Sequence, residues 1–154
     1  MTAAPARPPR PDRVRGVRVY ADGSALVRYL PGTDHHVAWL GWAEQHGPEL
    51  LVTSLSLGEL RRAAAGAPAD VRARAHAAAE RLEVVRYSDQ SLKSAAMSTG
   101  VLEPFAALHL GVAVAQPDVT AFATYDRRLA AVAAIHGLAV VSPGRADQWW
   151  DAAG

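Results

Sequence analysis

Apolar residues fall along this chain in two rhythms. Short β-rich runs, VRVYA (17–21), LLVT (50–53), EVVRY (83–87), TAFAT (120–124) and AVVS (139–142), alternate with alanine-rich segments of helical composition. Those segments place helices near 24–30, 35–46, 57–65, 69–82, 89–98, 104–115 and 127–136. Strands alternating with helices predict an α/β fold of three layers, with a mainly parallel central sheet of about five strands flanked by helices. Several boundaries carry their own signals: Ser24 can cap the first helix, Pro104 suits a first helical turn, and Gly137 stands where a helix ends.

No internal repeat interrupts this order. The first sixteen residues, MTAAPARPPRPDRVRG, are rich in proline and arginine and read as a disordered tail (1–16). The domain itself runs over 17–144. The ending RADQWWDAAG follows the Pro143-Gly144 turn signal and reads as an appendage (145–154), whose Trp149 and Trp150 are expected to pack on the domain or on a second copy of it.

Composition narrows the picture. A chain of 154 residues, half hydrophobic and one fifth charged, is the size and make-up of one ordinary globular domain. A net charge of +1 argues against a wholly basic nucleic-acid-binding surface, so any RNA contact must come from local arginines. With no cysteine, disulfides, thiolate metal sites and cysteine nucleophiles are excluded. The tail lacks the apolar run of a secretory signal, and the longest apolar stretch, Val101 to Gln116, is shorter than the roughly 20 residues of a bilayer span. A cytoplasmic location without membrane association is the resulting expectation.

The candidate chemistry lies in three acids at element ends. Asp22 closes the first predicted strand, Glu59 falls in the first turn of the helix after the second, and Asp126 follows TAFAT. Ligands of open parallel sheets bind beyond the carboxyl ends of the strands, so the three acids are expected on one crevice. Each also has a purely structural role available. Ser56-Leu57-Gly58-Glu59 matches a capping box, Asp126 precedes a helix as an N-cap would, and Asp22 precedes a glycine as a turn residue would. Three converging carboxylates repel one another, and a hard divalent cation relieves the repulsion; an oxygen-only ligand set selects Mg²⁺ or Mn²⁺. Such an ion supports phosphodiester hydrolysis. Arg28, Arg61, Arg62, Arg127 and Arg128 lie near these acids in sequence and can hold a nucleic-acid backbone.

These residues fall in recognisable wording. VYADGSALVRYL resembles the first motif of PIN-domain ribonucleases of the VapC toxin type, SLGELRRA resembles their glutamate motif, and ATYDRRLAAVAAIHGLAVVSPG resembles their C-terminal block. The likeness covers Val17 to Gly144. It implies that Asp22, Glu59 and Asp126 bind Mg²⁺ or Mn²⁺ and support hydrolysis of RNA, commonly transfer or ribosomal RNA. It also implies that Ser24 and Thr124 support the site, that the partner is a VapB-like antitoxin whose C-terminal segment blocks the crevice, and that the toxin is a homodimer.

One family acid is missing. The third family acid stands in a motif resembling leucine-aspartate-alanine-leucine-histidine-leucine, and this chain reads Phe105-Ala106-Ala107-Leu108-His109-Leu110. Ala106 occupies the aspartate's place. An engineered alanine, the usual way to silence a toxic nuclease, is the favoured explanation. A naturally weakened enzyme is the second, and the third is that Glu103, about one helical turn earlier, supplies the carboxylate. His109, on a helix this apolar, reads as a packed residue with a local hydrogen bond rather than a metal ligand. Two competitors remain in view: a non-catalytic module that binds RNA or protein through the same groove, and a phosphoryl-accepting receiver. The receiver needs a lysine late in the sheet, and no lysine follows Gly100.

Overall fold

The computed structural model describes residues 18–151, so the tail assigned to 1–16 lies outside the described residues. The strands are β1 (Arg18–Ala21), β2 (Leu50–Val52), β3 (Glu83–Val84), β4 (Val119–Ala123) and β5 (Ala139–Val141). Between them run α1 (Gly23–Leu26), extended by a 3₁₀ turn at Val27–Tyr29, α2 (His36–His46), α3 (Ser54–Ala64), α4 (Ala69–Glu80), α5 (Asp89–Ala96), α6 (Pro104–Ala115) and α7 (Arg127–Ile135). All five strands pair in parallel in the order β3-β2-β1-β4-β5.

The strands are apolar on both faces because both faces are covered. Val19, Ala21, Leu50, Val52, Ala121 and Ala123 point into one core layer, with Leu26, Trp39, Leu60 and Ala75 from α1 to α4. Tyr20, Leu51 and Phe122, the alternate positions, point into the other, with Ala95, Leu110 and Leu129 from α5, α6 and α7. A strand buried on both sides loses the polar half of its alternation, which is why these runs read as continuous apolar stretches. β1 lies at the centre. The chain winds outward from it through β2 and β3, then crosses to β4 and β5 on the other side, so the winding reverses between β1 and β4. Their carboxyl ends lie side by side, with Ala21 paired to Ala123. Such a reversal leaves a crevice beyond the strand ends.

Pro104 is the first residue of α6, and Gly137 follows α7 at φ +82°. Two caps differ from expectation. Asp22, not Ser24, caps α1: its carboxylate accepts from the Ala25 amide, and Ser24 lies inside the helix. α3 starts at Ser54, because the Thr53 hydroxyl at the end of β2 caps it and Ser56 returns the bond to the Thr53 amide. Glu59 is therefore in the second turn, outside any capping box. β3 is shorter than EVVRY; beyond Val84 only the Val85 amide still bonds to Val52.

The two helices α5 and α6 approach closely at Gly111, where a Cβ atom would collide with the Ser91 carbonyl and stand 2.7 Å from the Ala95 amide nitrogen. Backbone cannot yield as a side chain can. Gly111→Ala is expected to cost about 1–3 kcal/mol of stability, read as a lower denaturation midpoint, because it forces the helices apart. At the other end, Trp149 is buried beneath the Arg145 guanidinium, 4.7 Å from the ring centre, and packs edge-on against Trp150. Among the described residues no helix is long and apolar enough to cross a membrane.

Candidate active site

Asp22 stands at the carboxyl end of β1 and is almost wholly buried, at 3% exposure. Both oxygens are used. Oδ1 accepts from the Ser24 hydroxyl at 2.7 Å and the Ala25 amide at 2.9 Å, and Oδ2 accepts from the Thr124 hydroxyl at 2.7 Å. Burial pushes the Asp22 carboxyl up from its ordinary value; the nearby His109, the two hydroxyls and the amide oppose the rise without cancelling it. Ser24 Oγ also accepts from the Tyr125 amide at 2.8 Å. The two hydroxyls suggested as supports thus tie the end of β1 to the end of β4.

Asp126 reaches the same junction from β4. The Thr124 oxygen that donates to Asp22 accepts from the Asp126 amide at 3.0 Å. The Asp126 side chain caps α7 by accepting from the Leu129 amide at 2.9 Å, and the residue is exposed. Its structural role is real, and it leaves carboxylate lone pairs facing solvent.

Glu59 approaches from α3. Its side chain lies against Gly23, where a Cβ atom would stand 2.6 Å from its carboxyl carbon and 2.7 Å from Oε2. Gly23 follows Asp22 directly, so only a residue without a side chain lets Glu59 settle there. Oε1 is bonded to Nε2 of His109. His109 is buried, as expected of a packed residue, but its bonds are not local: Nε2 meets Glu59 and Nδ1 meets the Tyr20 hydroxyl at 2.6 Å. Sequence reasoning missed this role and the part played by Tyr20, Thr53 and Ser56. The available signal was a tyrosine inside the apolar run of β1 and two hydroxyl residues, Thr53 and Ser56, at the junction of β2 and α3.

Position 106 falls in the first turn of α6, partly buried and packed on the second core layer. Residues three apart on a helix are neighbours on one face, which puts Ala106 beside His109 and hence toward Glu59. Glu103 stands just before the helix. It is an exposed N-cap residue with extended backbone (ψ 151°), as the residue before a proline tends to be, and its carbonyl accepts the first bond of α6 from the Ala107 amide at 2.9 Å.

The cations are unevenly placed. Arg28 is folded back, with Nε on the Ser24 carbonyl at 3.1 Å, Nη1 on the Asp34 carbonyl at 2.9 Å and its guanidinium 5.2 Å from the Tyr125 ring centre. Arg127 and Arg128 sit exposed in the first turn of α7 beside Asp126; Arg61 and Arg62 are exposed in the last turn of α3, away from the crevice end of that helix.

The structure therefore joins Asp22, Asp126, Ser24 and Thr124 directly, and seats Glu59 on Gly23 next to them. Among the described residues, however, no three Asp, Glu or His side chains are arranged to close on one metal ion. What is present suits a hard cation of modest demands. The donors are oxygens, Asp22 Oδ2 accepts one bond where two lone pairs are available, and Glu59 Oε2 faces Asp22's neighbour. Mg²⁺ keeps several waters and binds through one or two carboxylates, which this set can supply.

The family model of the PIN domain matches residues 19–142. Among solved structures, the crystal structure of PAE2754 from Pyrobaculum aerophilum superposes with a TM-score of 0.55 at 20% identity, over 81% of this chain and 90% of that one. That likeness speaks to the fold alone. Comparison with curated proteins finds no match.

Proposed function

Because this chain belongs to the PIN-domain family, whose members are generally metal-dependent nucleases, we propose that it is a ribonuclease of the VapC toxin type whose site is weakened by alanine at position 106. The observation that carries the reading is the junction at the reversal of the sheet: Asp22, buried and held by Ser24 and Thr124, with Asp126 on the same threonine.

In this reading Asp22, Glu59 and Asp126 hold Mg²⁺ or Mn²⁺. When bound, the ion would supply an activated water and offset charge building on a phosphodiester. The chain's own residues prepare the place. Thr124 and Ser24 fix the Asp22 carboxylate so that no reorientation is needed on binding, and Gly23 admits Glu59. Arg127 and Arg128 face the backbone of an RNA strand lying across the carboxyl ends of β1 and β4. The substrate is a structured RNA, the regulator a small VapB-like antitoxin laid along the same crevice, the working unit a homodimer, and the compartment the cytoplasm.

A second reading is favoured by one observation, the methyl group at Ala106: a PIN module that binds RNA or protein without cutting. RNA incubated with the full chain and with its Ala106→Asp form, each in Mn²⁺ and in EDTA, separates the two. Metal-dependent cutting supports the ribonuclease. RNA retention that is indifferent to metal, with no cutting by either form, supports the binding module.

A further inference from the structure

We propose that His109 is the positioning residue of this site: anchored by the Tyr20 hydroxyl, it holds the Glu59 carboxylate against Gly23 beside Asp22 and so sets the affinity for a divalent cation. The inference rests on the metal-dependent reading above and goes beyond it, because it assigns a role to a residue of the apolar helix α6 that is not itself a ligand.

The chain of bonds is continuous from the core to the rim. A carboxylate only accepts, so the proton in the His109–Glu59 bond belongs to Nε2. The other ring nitrogen meets Tyr20 Oη at 2.6 Å. Tyr20 is wholly buried, and its hydroxyl is enclosed by Thr53 Oγ1 at 3.0 Å and Ser56 Oγ at 3.3 Å. Neither neighbour is free to swing away. Ser56 donates to the Ala21 carbonyl at 2.8 Å, and Thr53 accepts from the Ser56 amide and from Tyr87 Oη, both at 3.3 Å.

The imidazole is thus clamped by groups from β1, the β2–α3 junction and α3, with ring packing against Tyr20 at 5.7 Å. Glu59 is the half-exposed carboxylate of the network. A glutamate on a helix surface samples several rotamers, and ordering one costs free energy at the moment an ion binds. Bonding Oε1 to a fixed imidazole removes that cost beforehand and leaves Oε2, the oxygen over Gly23, for the ion or one of its waters. Outer partners of this kind orient ligands in metal sites generally.

The test is Mn²⁺ titration by calorimetry, with thermal unfolding alongside, on the full chain and on its Ala106→Asp form. His109→Asn, whose amide reaches only the Nδ1 position, is expected to weaken Mn²⁺ binding by about 10- to 100-fold. His109→Gln, whose amide reaches the Nε2 position, restores affinity to within about threefold. Tyr20→Phe keeps the imidazole and deletes only its anchor; it is expected to weaken binding in the same direction by a smaller factor. Lower melting temperatures with unchanged Mn²⁺ affinity in both His109→Asn and Tyr20→Phe would mean a merely structural histidine and overturn the proposal, leaving the ribonuclease reading standing. Absence of Mn²⁺ binding in both parent forms removes the metal-dependent reading, and this proposal with it.

Discussion

Replacing Ala106 by aspartate is expected to raise RNA cleavage in Mn²⁺ by about 10²- to 10³-fold, the scale of restoring one transition-state stabiliser, and EDTA is expected to abolish the gain. The fold should accept the change without loss. Position 106 is the third residue of α6, where a carboxylate faces unpaired amides and the positive end of the helix dipole, worth roughly 0.3–1 kcal/mol at such a position. It is partly exposed, so the new charge keeps some hydration. It also lies one turn before His109 on the face that meets Glu59. There it adds a fourth carboxylate, beside those of Asp22, Glu59 and Asp126, to a site that now brings together no three metal-binding side chains among the described residues. Repulsion among these acids is relieved when an ion binds. The aspartate form should therefore also gain more thermal stability from Mn²⁺ than the alanine form does, by mass action on the folded state. The checks are initial rates on a defined RNA and melting curves with and without Mn²⁺. Equal rates in EDTA and in Mn²⁺ would sink the idea.

Asp22→Asn is expected to do two opposite things: remove metal binding and cleavage, and make the protein more stable near neutral pH. The sign follows from the carboxyl's raised pKa, caused chiefly by burial. Between the ordinary value of 3.8 and the raised folded value, the folded state holds more protons at this group than the unfolded state. Stability therefore falls as pH rises through that window, and the whole penalty is present above it. Asparagine carries no charge and escapes the penalty, while its side-chain oxygen still accepts from Ser24 and the Ala25 amide. Denaturant unfolding in EDTA across pH should show the advantage of the asparagine form largest near neutrality, shrinking as pH falls through the raised folded value and gone below the ordinary value of 3.8. An asparagine form less stable than the parent at pH 7 would show that the lost Thr124 bond outweighs the removed charge. A site acid that destabilises its own fold is what a carboxylate kept for a cation should be, since the ion offsets the buried charge.

Much of this molecule was legible from short stretches of chain. All five strand runs are strands, and each helical segment is a helix, because periodicity, Pro104 and Gly137 act over a few residues at a time. The caps were less legible. Ser24 and Asp22 are both good capping residues two positions apart, and α3 had Thr53, Ser54 and Ser56 to choose among; the backbone direction leaving each strand decided between them.

The tertiary structure decided what no local pattern carries. The placement of β4 beside β1 gives Asp22 a partner in Thr124, 102 residues away, and puts Asp126 on the same hydroxyl. The packing of α6 against the sheet turns His109 from an expected local bond to Tyr20 and Glu59, 89 and 50 residues distant. The extended backbone before Pro104 makes Glu103 the exposed N-cap of α6. Sequence by itself determined which segments are strands and helices and which acids stand at their ends, because hydrogen bonding and side-chain periodicity within an element are short-ranged. Which of those acids share a partner depended on the order of strands in the sheet and on which helix face meets it, quantities set by the burial of both sheet faces at once.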